Sequence, residues 1–177
     1  LQKKPTLDRI DTNAVDVLGP LDINFPYKFQ VSAEVAALAD NLTEVNENEV
    51  SMTSYPEQID VDTIRKDQMR NEVYGPILRH FMGTMKESDA GQLPSKKKLK
   101  MFSLGFQQIL LFKQRIAIGH RLALIVLICM HLATHLGENA LAVKFKTIFY
   151  TKGLYAKVHA VITSCRSCAL YRVSHVV

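Results

Sequence analysis

The sequence is poor in cysteine and has no apolar run long enough to cross a membrane, and each absence excludes a class of protein. Three cysteines are too few, and an odd number, for a small disulfide-bonded scaffold. The apolar run from Leu122 to Met130 covers nine residues, whereas a membrane-spanning helix needs roughly 20. The run therefore predicts a helix in the core of a soluble chain that has no membrane partner.

Glycine and proline are also modest in number, at 8 and 6 residues, while 47% of the chain is hydrophobic. This composition is typical of a globular protein rather than a disordered one. The first residue is Leu1, and the charged, apolar and small-residue pattern of a signal peptide does not follow it. We therefore expect a piece of a longer chain that is not secreted.

Charges of the two signs are divided between the two halves of the chain. Residues 1–60 contain 11 acidic and 4 basic side chains, whereas residues 90–177 contain 13 basic side chains and one acidic, Glu138. The C-terminal half is therefore the part that would attract a polyanion. A basic half is equally compatible with solubility alone, so charge by itself leaves nucleic-acid binding open.

The first 100 residues are expected to form two segments. Residues 1–59 read as an acidic connector of low order, with one short helix from Ser32 to Leu42 capped by Ser32. Residues 60–100 read as a helical segment followed by a polar, basic linker. Gly75-Pro76 interrupts the helical pattern there, which predicts two helices or a kinked one.

Residues 101–177 are expected to form a third unit, which begins with strands and continues with helices. Apolar residues alternate after Phe102, and further strand-like segments precede Gly119, which predicts a two- or three-stranded sheet. One apolar and two amphipathic helical patterns follow within about 50 residues. The predicted fold is mainly α: a small β-hairpin and a three-helix bundle, preceded by a partly helical, loosely ordered N-terminal segment.

Four residues of this unit have the spacing of a metal site. His131 and His135 are one helical turn apart, and Cys165 and Cys168 form a C-x2-C pair. Two imidazoles and two thiolates are a standard closed set of ligands for a structural Zn²⁺ ion. A bundle this small needs such a stabilising ion, because it buries little apolar surface. We therefore expect one zinc ion, whose removal costs most of the fold.

The cysteine pair and the histidines each have other interpretations. The Cys pair could be a redox site or a chance occurrence, although no thioredoxin-like βαβ pattern surrounds it. His131, taken alone, could be a hydrogen-bonded core histidine. His159 is the most plausible substitute ligand but is predicted in mid-helix, and Cys129 reads as a core residue.

The stretch Arg115–Val173 resembles the integrase zinc-binding (H2C2, or HHCC) region of Gypsy-type retrotransposons and retroviruses. The 29 residues between His135 and Cys165 fit the spacing of that family, and Phe102–Phe112 extends the resemblance to the start of the sheet. The matching motifs are Arg115-Ile116-Ala117-Ile118, Leu122–His131, His135-Leu136-Gly137, Phe149-Tyr150, Gly153 and Ser164-Cys165-Arg166-Ser167-Cys168.

The resemblance implies a fragment of a Pol polyprotein that supports DNA integration. Expected partners are the DNA ends of the element, further copies of the chain and other integrase domains, in the nucleus or a cytoplasmic integration complex. Family integrases continue into a catalytic core with three metal-binding carboxylates, whereas only nine residues follow Cys168 here. The expected function is therefore non-catalytic. The candidate phosphate contacts are Lys144, Lys146, Lys152, Lys157, Arg166 and Arg172.

Two further hypotheses remain open from the sequence. The chain could be a truncated or host-retained protein-interaction module without a DNA role, or a decayed reading frame. An enzyme is the weakest interpretation, because the sequence shows no Gly-rich phosphate loop and a closed zinc site has no position for water. No small-molecule substrate is expected.

Overall fold

The computed structural model describes residues 29–43 and 58–173. Within these ranges the protein is mainly helical, with a four-stranded sheet and a separate two-stranded ribbon, which confirms the predicted class. The helices are α1 (Ala33–Thr43), α2 (Val61–Arg70), α3 (Tyr74–Met82), α4 (Lys96–Leu99), α5 (His120–Thr134), α6 (Glu138–Lys146), α7 (Leu154–Ser164) and α8 (Arg166–Val173). The strands are β1 (Phe29–Gln30), β2 (Gln58–Ile59), β3 (Phe102–Leu104), β4 (Leu110–Phe112), β5 (Arg115–Ala117) and β6 (Phe149–Tyr150), and 3₁₀ helices span Glu87–Gln92 and Phe106–Gln108.

Helix α1 begins where the sequence predicted a helix. The Ser32 hydroxyl accepts a hydrogen bond from the Val35 amide at 3.3 Å, as an N-cap residue should. Val35 and Ala39 are buried in the same core as helix α5, and Asp40 forms an ion pair with Arg121 at 2.7 Å. The first predicted segment therefore shares a core with the third, while the predicted boundaries near residues 60 and 101 stay predictions.

Helices α2 and α3 are separated by a polar cap rather than by the Gly-Pro pair. Asp60 caps α2 by accepting a hydrogen bond from the Thr63 amide at 2.8 Å. After Arg70 the side chain of Asn71 accepts hydrogen bonds from the next free amides, those of Val73 and Tyr74, at 3.0 Å each. An interruption was thus correctly predicted, but its position at Gly75-Pro76 was wrong. Both residues lie in the first turn of α3, where proline costs no hydrogen bond.

A buried glutamine attaches α2 to the sheet. Gln68 is fully buried; its Nε2 donates to the carbonyls of Leu110 and Ala117 at 2.9 and 2.6 Å, and its Oε1 accepts from the Leu110 amide at 2.8 Å. One residue earlier, Asp67 accepts a hydrogen bond from the Gly119 amide at 2.7 Å. These contacts fix α2 against β4, β5 and the start of α5.

The sheet contains one more strand than was predicted. Strands β3, β4 and β5 are antiparallel neighbours, and β6 is added parallel to β5, with Ile116 opposite Phe149. Two backbone hydrogen bonds join β5 to β6. The Ile116 amide donates to the Ile148 carbonyl at 2.9 Å, and the Ile118 amide donates to the Tyr150 carbonyl at 3.0 Å. The aromatic pair expected near a turn is therefore also a strand.

The polar stretch before the sheet contains a buried ion pair, which its composition did not indicate. Asp89 is 3% exposed and accepts two hydrogen bonds from the Arg79 guanidinium, each at 2.7 Å. The lysines that follow, by contrast, lie on short helix α4 and are exposed, as expected for a solvated run.

The C-terminal helices pack around α5, whose residues from Leu122 to Ile128 are all almost fully buried. Three residues separate α5 from α6, and α7 returns towards the C-terminal end of α5. A fourth helix, α8, follows after Cys165, so the unit has one helix more than predicted. In the described ranges, no helix combines the length and apolarity needed to cross a bilayer.

Candidate metal centre

The four predicted ligands meet where three helices end or begin. His131 lies in the last turn of α5, and His135 is the residue that ends this helix. Cys165 ends α7, and Cys168 lies in the first turn of α8. One ligand atom from each residue lies within 4.8 Å of the other three. The sequence had placed both cysteines at the end of the third helix, whereas the second belongs to the fourth.

Three of the distances between these atoms are close to those of a tetrahedral site. Zinc binds sulfur at about 2.3 Å and imidazole nitrogen at about 2.0–2.1 Å, so a tetrahedral angle separates the two atoms by about 3.6 Å. The Cys168 Sγ lies 3.3 Å from His131 Nε2 and 3.6 Å from His135 Nδ1. The Cys165 Sγ lies 3.7 Å from the same His135 nitrogen. The four residues therefore fit a zinc ion in both chemistry and spacing.

The backbone after α5 orients both histidines. His131 directs Nδ1 to the Leu136 carbonyl at 3.2 Å, and a proton on that nitrogen leaves Nε2 for the metal. His135 has φ 45° and ψ 35°, a left-handed conformation that ends the helix and turns the chain. This turn brings the Leu136 carbonyl back to His131 and directs the His135 ring towards the cysteines.

The surroundings of the site suit neutral imidazole ligands. His131 is 1% exposed, and burial together with the neighbouring His135 lowers its pKa below the ordinary 6.5. A neutral ring at physiological pH can bind a metal without first losing a proton. His135 is exposed, so the site lies close to the protein surface.

Cys129 and His159 are absent from this group of metal ligands, as predicted. Cys129 packs against the main core, and burial raises the pKa of its thiol to about 11. His159 lies in mid-helix, and its Nδ1 pairs with Glu138 at 2.8 Å. With two imidazoles and two thiolates the coordination sphere is closed, so the ion holds the helix ends together and has no open position for water.

The candidate phosphate contacts lie at two different places on the bundle. Lys146, Lys152 and Lys157 lie where α6 ends and α7 begins, and the Lys146 ammonium donates to the Tyr155 hydroxyl at 2.8 Å. The 11 residues of α7 place this end about 16 Å from the metal ligands. Arg166 lies beside the cysteines instead.

The exposure of these side chains also differs. Lys144 and Lys152 are exposed, whereas Lys157 is only 8% exposed and its ammonium donates to the Lys152 carbonyl at 2.6 Å. The Arg172 side chain lies outside the described residues. We call Lys144, Lys146, Lys152 and Lys157 the cationic end of the bundle.

The Leu136 carbonyl was not anticipated from the sequence as a partner of His131. The sequence carries no local signal for it, since the left-handed residue that ends α5 is His135, whereas glycine or asparagine is usual at such a position. The position of Lys157 was also not foreseen, because a lysine on an amphipathic helix reads as a surface residue.

Comparison with known families identifies this site. Residues 131–169 match the family model of the H2C2 zinc finger, and the four ligands all lie inside the match. The predicted resemblance to an H2C2 (HHCC) domain is therefore confirmed for these residues, together with one structural zinc ion as the cofactor. Comparison with curated proteins and with solved structures finds no match. An H2C2 zinc finger is by itself a non-catalytic module.

Proposed function

We propose that this chain is the zinc-binding N-terminal region of an integrase from a retrotransposon or retrovirus. In this role it binds the DNA ends of the element and associates with further copies or with other integrase domains, inside an intracellular integration complex. The observation that carries the proposal is the four-ligand zinc site in a bundle whose opposite end is cationic. Catalysis would belong to a separate core domain of the parent protein.

The charge of the bundle supports a polyanionic partner. From residue 101 to residue 173 the only acidic side chain is Glu138, and it pairs with His159. The cationic end therefore has no nearby carboxylate from its own unit. Lysines in such an environment attract phosphates and release counterions when DNA binds.

A tyrosine at the cationic end supports contact with nucleic acid in particular. Tyr155 is 57% exposed, and the Lys146 ammonium lies 4.3 Å from the centre of its ring. An exposed aromatic ring beside a lysine offers both a stacking surface and a phosphate contact.

The salt dependence of DNA binding tests this proposal. We expect the affinity of the zinc-loaded chain for duplex DNA to fall steeply with salt, because each phosphate contact adds about 0.9 to the slope. Lys144→Gln with Lys146→Gln should lower the slope by about 2. Lys66→Gln, on α2 and outside the bundle, is the control and should leave the slope unchanged.

Fluorescence anisotropy from low to moderate salt measures both quantities. An affinity that does not change with salt, or an equal effect of the control and the double variant, would contradict DNA binding by the bundle.

A protein-interaction module without a DNA role is the second candidate. Large apolar side chains are exposed on three of the helices around the zinc site: Leu132 is 41%, Val143 63% and Leu170 73% exposed. Such residues favour a protein partner when they form a patch. Analytical ultracentrifugation separates the two candidates, since a constitutive dimer forms without DNA whereas a DNA-directed assembly requires it.

A further inference from the structure

A cleft of about 380 Å³ lies beside the cationic end, between the sheet, α3 and the start of α5. Three lysines from separate elements line it: Lys98 from α4, Lys152 from the loop before α7, and Lys157 from α7. No aspartate or glutamate is among its lining residues, all of which lie in the described part of the chain. A concave site of this size that is lined by three cationic residues is suited to an anionic ligand.

The wall of the cleft also contains the neutral amide of Asn71. Its oxygen accepts hydrogen bonds from the Val73 and Tyr74 amides, and this bonding pattern fixes which end of the amide is the Nδ2 group. The Nδ2 group lies beside Gly119, on the same side as the Asp67 carboxylate.

The start of α5 adds backbone donors to the same wall. Gly119 and His120 line the cleft, and Gly119 as N-cap has no side chain that could accept a hydrogen bond from the first turn. The first amides of a helix and the helix dipole stabilise an anion that lies close to the N-terminus. An added Cβ at Gly119 would lie 2.9 Å from the Asp67 carboxylate, which would then have to shift.

The Asp67 carboxylate contacts this wall, because it accepts a hydrogen bond from the Gly119 amide at 2.7 Å. Its single negative charge opposes three lysines, so the lining remains net positive. His120 is half-buried; burial and the charge of Lys157 lower its pKa below the ordinary 6.5.

Aromatic and apolar side chains form the remaining wall. Tyr74 and Phe102 are buried there with ring centroids 6.4 Å apart, and Tyr150 stacks on Phe112 behind the cleft. The cleft therefore has one cationic wall and one aromatic wall, a combination that suits a phosphorylated organic ligand.

We propose that this cleft is a phosphate-binding site, lined by Lys98, Lys152, Lys157 and the Asn71 amide, that receives a backbone or terminal phosphate of nucleic acid. The claim that the phosphate belongs to nucleic acid rests on the proposed function. The claim that the cleft binds phosphate does not. Lys98, which lies far from the zinc finger in sequence, becomes part of the binding surface by this assignment.

Titration of His120 in the full, zinc-loaded chain reports directly on phosphate binding in the cleft. Inorganic phosphate bound beside the ring should stabilise its protonated form and raise its pKa, as followed by NMR of the imidazole protons. The ring of His80, exposed on α3 and outside the cleft, serves as the internal reference. An unchanged His120 titration at saturating phosphate would overturn the proposal.

Matched lysine variants test the assignment without relying on His120. Lys98→Gln combined with Lys152→Gln should weaken phosphate binding by about tenfold. Lys97→Gln is the control, because this neighbour of Lys98 is exposed and does not line the cleft. Equal effects of the control and the double variant would also overturn the proposal.

A short oligonucleotide distinguishes the two sources of phosphate. Competition between the oligonucleotide and inorganic phosphate, lost in the cleft variant, supports nucleic acid as the occupant. Oligonucleotide binding that depends on Lys144 and Lys146 but not on the cleft lysines would overturn the cleft assignment and leave the proposed function standing. Phosphate binding without competition would overturn nucleic acid as the source.

Discussion

Gln68 is a polar side chain in a place where an apolar one would be expected. Its amide forms three hydrogen bonds to backbone groups of β4 and β5, which lie 42 and 49 residues further along the chain. The ladder between β4 and β5 pairs Leu111 with Ile116 and Phe112 with Arg115 and does not include Leu110 and Ala117. The glutamine therefore satisfies backbone groups that this ladder leaves unpaired. A single side chain thus links the helical segment to the sheet.

Replacing this glutamine should lower the free energy of unfolding, although Gln68 belongs neither to the zinc site nor to the lining of the proposed phosphate-binding cleft. Gln68→Leu keeps a similar volume but leaves one amide and two carbonyls without partners, at about 1–3 kcal/mol for each buried group that stays unpaired. We expect the free energy of unfolding to fall by at least about 2 kcal/mol in urea titrations. Met69→Leu, on the adjacent, more exposed position of α2, is the control and should change it by less than about 0.5 kcal/mol.

At the scale of elements, the Arg79–Asp89 pair joins α3 to the 3₁₀ helix that follows it. The hydrogen bonds from Arg79, assisted by the Lys86 amide, hold the pKa of Asp89 at about 2, below its ordinary value of 3.8. A carboxylate whose pKa is lowered by folding stabilises the protein where it is ionised in both states. This stabilisation is therefore complete above about pH 4 and is lost as the pH falls towards 2.

The Asp89→Asn variant tests this pH dependence. We expect it to be less stable than the parent chain by a constant amount above about pH 4, with the difference shrinking as the pH approaches 2. Acid also weakens zinc binding, but it does so in both proteins, so the difference between their urea midpoints is the quantity to measure. Asp62→Asn removes only an exposed pair with Arg65 and should show no such trend.

The elements that the sequence predicted well are those whose pattern is local. The cap at Ser32, the apolar run of α5 and the helical spacing in α6 and α7 are each contained within a short stretch of chain. Strand β6 has two residues and is a strand only because β5 lies beside it. The break after α2 was misplaced because Gly-Pro is a strong local signal, whereas the cap by Asn71 depends on one side-chain rotamer.

At the scale of the whole molecule, zinc connects the end of α5 to the end of α7 and the start of α8. The spacing of His131, His135, Cys165 and Cys168 predicted these ligands because the metal requires a fixed donor set. The orientation of His131 by the Leu136 carbonyl depends on the left-handed turn at His135, and the cleft depends on the distant segment around Lys98. Spacing alone therefore predicted the ligands but not their surroundings.

Removal of zinc should unfold much of the bundle, since ion binding contributes directly to folding. We expect one zinc ion per chain by metal analysis, and a loss of helical circular dichroism and of thermal stability when a chelator is added. Re-addition of Zn²⁺ should restore the signal, whereas Mg²⁺ should not, because thiolate and imidazole ligands disfavour it.

Cysteine variants separate the metal site from the core. Cys165→Ser should reproduce the effect of the chelator and lower the zinc content, whereas Cys129→Ser should retain one zinc per chain. Helicity that survives complete loss of zinc would contradict a structural role for the ion.

Strand β6 lies inside the zinc finger by sequence but completes a sheet whose other strands all precede residue 131. Excising residues 131–169 as a minimal peptide would therefore break a β-ladder and leave the finger's own Phe149 without its neighbour Ile116. The remainder would keep β5 as a newly exposed edge, with amides at Ile116 and Ile118 open to pairing with another chain. Fragments cut at the family boundary should thus aggregate, and a soluble piece must begin before β3.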